Sequence, residues 1–300
     1  VADRLAASGI LLVGGASRRF GSPKALARFR GEALAERAWR LLGEVCDEVL
    51  AVGKAADALP LPFPVLDDRS VLRAPIVGLV AGLRAASYET CLAVPVDCPL
   101  LTAPALRALA CAVAVPQTGP LPGAYTKSML PKLEARIAAG ERSLRGVNER
   151  TLELEDALLW NVNTPRELLA AEVADAASEL EGVRAVLLAS PSAGRSDGSQ
   201  EPDLVLVVDD PAPYREGTNW LEGLRVSLVS VEPIPGDGAV LRLRGDARRE
   251  VLLAVVPALE AHGVEVEPLL RGRPALLDRM GLVEPSSASA PGARPSTLCR

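Results

Sequence analysis

From Gly9 to about Leu180, short runs of Leu, Val and Ile alternate with longer segments rich in Ala, Leu and Arg. Alternation of this kind marks βαβ crossovers over a buried sheet. Ile10 to Val13 reads as the first strand. Glu32 to Val45 reads as a helix, because Leu34, Ala38, Leu41 and Val45 recur at three- to four-residue spacing. Strands follow at Glu48 to Val52, at Val65 and Leu66, and at Thr90 to Val96, the last stopping at Asp97-Cys98-Pro99. Pro75 opens a helix that runs to about Ala86, since a first helical turn tolerates proline. Ala103–Ala112, Thr126–Ala139, Ser143–Arg150 and Pro165–Leu180 read as helical, and Thr151–Glu155 as extended.

Past Gly182 the pattern changes. Strands are expected at Val183–Ala189, Leu204–Val208 and Arg225–Val231, then strand, helix, strand at Ala239–Arg244, Ala247–His262 and Val264–Leu269. The expected organisation is a Rossmann-like, three-layer α/β domain over residues 1–180, followed by a small α+β domain over residues 183–283. The Pro/Ser/Ala-rich residues 284–300 read as a disordered tail.

Several function classes drop out on composition. Thirty-three Lys and Arg against 38 Asp and Glu give a net charge of −5 with no basic run, which argues against nucleic acid as a partner. No apolar stretch reaches the roughly 18 residues that cross a bilayer, and the first residues lack the blocks of a signal peptide, so a cytoplasmic protein without membrane contacts is expected. The single histidine, His262, excludes a multi-histidine metal site and disfavours a Ser/His/Asp triad. Cys46, Cys91, Cys98, Cys111 and Cys299 show neither CxxC nor metal-ligand spacing and read as buried apolar residues. Catalysis is left to carboxylates, cations and backbone groups.

The front segment LLVGGASRRFGSPKAL, residues 11–26, runs a buried strand straight into Gly14-Gly15. Two glycines bring bare amide N–H groups close to a ligand, and Arg18, Arg19 and Lys24 add three cations to the same loop. Amides with fixed cations are what a polyphosphate needs. Neither a Walker A loop nor a G-x-G-x-x-G fingerprint is present. Asp97 ends an apolar strand in LAVPVDCPLL, and in open α/β sheets ligands bind beyond the carboxyl ends of strands. A lone carboxylate beside phosphates needs an intervening divalent cation, so Asp97 is the candidate ligand of Mg²⁺. Its competing role is a helix cap, for which Thr102 is better placed. Asp67 and Asp68 form either a solvated turn pair or, through Asp68, a contact to the nucleotide or to a metal-bound water. In WNVNTPREL, Asn163 or Thr164 caps a helix, while Asn161 and Asn163 are placed to present amides to a second substrate.

These motifs together resemble the molybdenum cofactor guanylyltransferase family, nucleotidyltransferases of glycosyltransferase-A-like fold. The resemblance runs in order through LLVGGASRRFGSPKAL, VLDD, APIVGL, VPVDCPLLT, PLPGAY, AAGERSLR and NVNTPREL, over roughly residues 9–175. It implies transfer of GMP from GTP to molybdopterin with release of pyrophosphate. It implies further that Leu12, Val13, Gly14, Gly15, Val52, Asp68 and Gly78 line the nucleotide, that Arg19 and Lys24 bind its phosphates, and that Asp97 ligates Mg²⁺. Asn161 and Asn163 would face the pterin. Where the family commonly carries a base-reading Asn at the end of the second strand, this chain has Val52. That departure leaves open CMP transfer, a sugar-phosphate acceptor, or a non-catalytic scaffold that delivers cofactor to a molybdoenzyme or another protein of the pathway.

The second domain carries a fainter pattern. Residues 187–209, LLASPSAGRSDGSQEPDLVLVVD, are laid out like the Ser loop and carboxylate pair of a minimal nucleotidyltransferase, with Glu201 and Asp203 as the pair. No third carboxylate follows on the next strand, and a pair alone makes a poor two-metal site, so an accessory role is expected.

Overall fold

A computed structural model describes residues 3–14, 20–188, 202–221, 224, 226–234, 237–245, 249–258 and 275–280. The described residues divide into two compact units, one within residues 3–154 and one within residues 155–280.

In the first unit, β1 (Leu5–Leu12) is followed by a short hairpin, β2 (Arg28–Phe29) and β3 (Glu32–Ala33), and then by α1 (Leu34–Val45). The chain continues through β4 (Cys46–Gly53), β5 (Val65–Asp67), α2 (Pro75–Ala85), β6 (Thr90–Pro95) and α3 (Ala103–Ala112). It ends with β7 (Val115–Pro116), β8 (Gly123–Thr126), α4 (Leu130–Ala138) and β9 (Thr151–Leu152). The main sheet has the order β5-β4-β1-β6-β8. Its first four strands are parallel and β8 is antiparallel to β6.

Alternation along β1 builds the three layers, because neighbouring residues point to opposite faces. At Gly9 an added Cβ would lie 3.0 Å from Leu42 of α1, whereas at Gly82 of α2 one would lie 2.5 Å from Ile10. Helices α1 and α3 therefore share one face, and α2 and α4 the other. The α2 and α4 face packs Ile10, Leu12, Val52, Ile76, Leu79, Leu83, Tyr125 and Leu133 into one core.

Two departures from the expected elements lie in this unit. Glu32 and Ala33 belong to the β2–β3 hairpin, so the helix begins at Leu34. Ser143–Arg150 is a looped turn in which Gly146 adopts φ +72° and Arg136 donates to the carbonyls of Ser143 and Arg145. A left-handed glycine and side-chain donors to loop carbonyls are incompatible with a continuing helix.

The second unit contains α5 (Pro165–Ser178), β10 (Val183–Leu188), β11 (Leu204–Val208), α6 (Ala212–Arg215), β12 (Ser227–Pro233), β13 (Ala239–Arg244), β14 (Glu250–Pro257) and β15 (Ala275–Asp278). Its sheet order is β12-β13-β14-β11-β10-β15, with β11 and β14 parallel. Thr164 caps α5 in a full capping box: its Oγ1 accepts from Glu167 N, while Glu167 accepts from the Thr164 amide at 2.9 Å. Although α5 reads in sequence as the close of the first domain, it packs on β10, β11, β14 and β15. Residues 250–257, expected within a helix from 247 to 262, form β14 instead. The run Val251–Val256 is apolar throughout, so periodicity does not separate strand from buried helix, and pairing with both β11 and β13 decides it. The expected strand at 264–269 and the tail lie outside the described residues.

Candidate active site

The carboxyl ends of β1 and β4, with the start of α2, enclose a cavity of about 210 Å³ lined by Leu12, Gly14, Val52, Gly53, Lys54, Asp68, Arg73, Ala74, Pro75 and Gly78. Its floor is backbone-tight. Val13 N donates to Val52 O and Asp68 N to Gly53 O, each at 3.0 Å, which draws the ends of three neighbouring strands together. A Cβ on Gly53 would lie 2.8 Å from Val13 Cγ2, and one on Gly78 would lie 3.0 Å from Leu12 Cδ2. Side chains at these two positions would fill the space against the cavity wall. Of the residues expected around a nucleotide, Leu12, Gly14, Val52, Asp68 and Gly78 line this cavity, while Val13 is buried beside it.

Lys24 and Asp97, 73 positions apart, meet in an ion pair with Nζ 3.0 Å from Oδ2. Lys24 sits on a single 3₁₀ turn (Lys24–Leu26), and Asp97 follows the end of β6. Their side chains are 12% and 22% exposed, shielded enough from water for the attraction to hold both groups in place. The turn after Asp97 is fixed from α1, whose Arg37 donates from Nε to Pro99 O at 2.7 Å. Thr102, not Asp97, caps α3, so the aspartate has no helix to cap. Cys98 is buried, and that burial, reinforced by the charge of Asp97, pushes its thiol well above the usual range.

Lys54 was not singled out by sequence reasoning. A lone lysine after a strand reads as a surface residue. Its ammonium donates to Asp68 Oδ1 at 2.6 Å and to the carbonyls of Ser70 and Leu72. Asp68 Oδ1 also accepts from Ser70 N at 3.0 Å. Asp67 accepts from the amides of Ala55 and Arg69 and turns the loop. At the rim, Arg73 forms a two-pronged pair with Asp57 at 3.0 and 2.6 Å. That hydrogen bond holds the Asp57 carboxyl below the usual range, against the opposing pull of burial.

Gly15, Arg18 and Arg19 lie outside the described residues, as does Glu201. Asn161 and Asn163 belong to the second unit, on the stretch leading to α5, where Asn163 Nδ2 donates to Asn161 O at 3.3 Å. In the same unit Asp203 is bound by Arg166 at 2.7–3.1 Å and by Leu252 N at 2.9 Å, a carboxylate already used structurally. Cys46, Cys91 and Cys98 are buried free thiols, as expected, whereas Cys111 is disulfide-bonded, against expectation.

Among the described residues no three His, Cys, Asp or Glu side chains cluster as a metal site. A cation at Asp97 would take one carboxylate from the protein and the rest of its shell from phosphate and water. That donor set fits a hard ion such as Mg²⁺, which dehydrates reluctantly.

Residues 9–155 match the family of the MobA-like NTP transferase domain. A "Probable molybdenum cofactor guanylyltransferase" of Chloroflexus aggregans is 37% identical over 154 residues, covering 46% of this chain and 74% of the relative. The chain belongs to the MobA-like NTP transferase family. Two further proteins of that printed name are similar to this MobA-like chain. The one from Pelotomaculum thermopropionicum is 31% identical over 191 residues, covering 56% of this chain and 93% of the relative. The one from Rhodopirellula baltica is 32% identical over 188 residues, covering 53% and 89%. The domain match ends at residue 155, beside the boundary between the two units at 154 and 155. In this MobA-like chain the rest of the second unit is additional to the matched domain. No helix among the described residues is long and apolar enough to cross a membrane.

Proposed function

We propose that this chain transfers GMP from GTP to molybdopterin and releases pyrophosphate, a reading supported by relatives that carry the name probable molybdenum cofactor guanylyltransferase. The observation that carries the reading is a cavity at the carboxyl ends of β1 and β4 together with a Lys24–Asp97 pair at the carboxyl end of the neighbouring strand β6. Leu12, Val52, Pro75 and Gly78 offer flat apolar contact to a base. Asp68 offers what a guanine N–H edge requires, a carboxylate oxygen, since only its Oδ1 is engaged among the described residues. Val52 offers no such group, so base selection falls to Asp68.

In this mechanism the acceptor's phosphate oxygen attacks the α-phosphorus and pyrophosphate leaves. That oxygen is already anionic near neutral pH, so no general base is required, in keeping with a chain whose only histidine is His262. A bound Mg²⁺ would supply charge neutralisation to the phosphates. Asp97 would hold it, and Lys24 together with Arg19 and the Gly14 and Gly15 amides would bind the phosphates. Alignment and preorganised charge account for the acceleration.

The test is pyrophosphate release by the full chain with GTP, CTP, ATP or UTP and Mg²⁺, with and without molybdopterin. Release with GTP that depends on molybdopterin is expected. Release with CTP in place of GTP would overturn the guanine assignment, and nucleotide binding without release would overturn the enzymatic one.

A further inference from the structure

Lys54 reaches the cavity as a cation with nothing left to donate. Its side chain is 10% exposed, and its three N–H groups are matched by three acceptors, Asp68 Oδ1, Ser70 O and Leu72 O. The acceptors fall on alternate residues of the loop between β5 and α2. This loop needs holding, because Arg69 adopts a left-handed φ of 54° within it. Asp68 is itself 7% exposed along its side chain. A carboxylate so shielded from water needs a partner.

We propose that Lys54 is a positioning residue for the nucleoside. By tying Asp68 Oδ1 and the carbonyls of Ser70 and Leu72 to one ammonium, it sets the orientation in which Asp68 offers Oδ2 to the base, and it takes no part in binding phosphate. The proposal rests on the cavity being the nucleotide site. A lysine beside a nucleotide is ordinarily a phosphate ligand, and here the geometry assigns the opposite role. Lys24 keeps the phosphate-facing part.

The experiment uses fragments of the substrate. Guanosine and pyrophosphate are each measured as inhibitors of wild type, Lys54→Met, Asp68→Asn and the double variant, in the full chain, with KM for GTP and kcat alongside. Lys54→Met is expected to weaken inhibition by guanosine about tenfold or more, the scale of a lost charged hydrogen bond, and to leave inhibition by pyrophosphate unchanged. KM for GTP rises by more than kcat falls. In the Asp68→Asn background the lysine change adds nothing further, because its effect passes through Asp68. Weakened pyrophosphate inhibition, additive effects in the double variant, or unchanged guanosine inhibition would each overturn the proposal. Should Lys54→Met fail to fold, Lys54→Gln, which keeps a donor for the loop carbonyls and loses the charge, is read by the same criteria. If wild type releases pyrophosphate from CTP and not GTP, the guanine assignment fails instead, and the lysine comparison is made with cytidine.

Discussion

An aspartate among phosphates repels them until a cation intervenes, and in this chain the nearest cation is covalently supplied. Lys24 stands 3.0 Å from Asp97 and neutralises it before any ligand arrives. In the proposed mechanism the ammonium exchanges one anion for another at little cost in motion. Removing it deletes a preorganised charge, so Lys24→Ala is expected to lower pyrophosphate release by about two to three orders of magnitude, with an unchanged circular dichroism spectrum. The cysteines make a second prediction at this scale. Burial pushes the Cys46 and Cys91 thiols up to about 12, and Cys98 higher than its usual range as well. The thiolate is the reactive form, so all three should resist iodoacetamide at pH 8 in the folded chain and react once it is unfolded, as read by peptide mass spectrometry.

At the scale of elements, the end of the sheet remote from the cavity is pinned by Glu48 of β4. It accepts from Ser8 of β1 and from the Ser87 amide and hydroxyl at 2.8 and 2.7 Å. Burial raises the carboxyl, but these hydrogen bonds outweigh it and leave Glu48 below its ordinary value. A depressed folded-state value means stability that is complete above the unfolded carboxylate value of about 4.3 and is lost as pH falls through the folded one. Urea midpoints should therefore fall less steeply below about pH 4.3 in Glu48→Gln than in wild type. In the second unit, Thr164→Ala removes the reciprocal cap of α5 and is expected to cost about 1 kcal/mol by urea denaturation. Much of this architecture was legible in sequence, because α3 and β11 carry unambiguous patterns and Thr164-Pro165 announces a helix start. β14 was not legible. Val251 to Val256 is equally consistent with a buried strand or a buried helix, and only its two partner strands make the choice.

For the whole molecule, the same contrast holds between site residues that announce themselves and those that do not. Asp97 and Lys24 stand out by position, a carboxylate at a strand end and a cation in a glycine-led loop, and the structure adds that the two pair. The hydrogen bonds of Lys54 were not legible, because they run to carbonyls 16 and 18 residues away, which no local pattern encodes. α5 packs on the second sheet although the sequence attaches it to the first domain, since the apolar face of a helix does not name the sheet that will cover it. A nucleotide held by the cavity should also stabilise the chain. At 100 times its dissociation constant GTP with Mg²⁺ is expected to add about 2.7 kcal/mol, seen as a higher melting temperature than with CTP, ATP or UTP at the same concentration. The claim on which the account turns is that Asp97 is essential to the chemistry and dispensable for the fold. Molybdopterin-dependent pyrophosphate release from GTP and Mg²⁺ by purified Asp97→Ala tests it directly: release at background level from a chain with the wild-type circular dichroism spectrum is predicted, and release at the wild-type rate would contradict it.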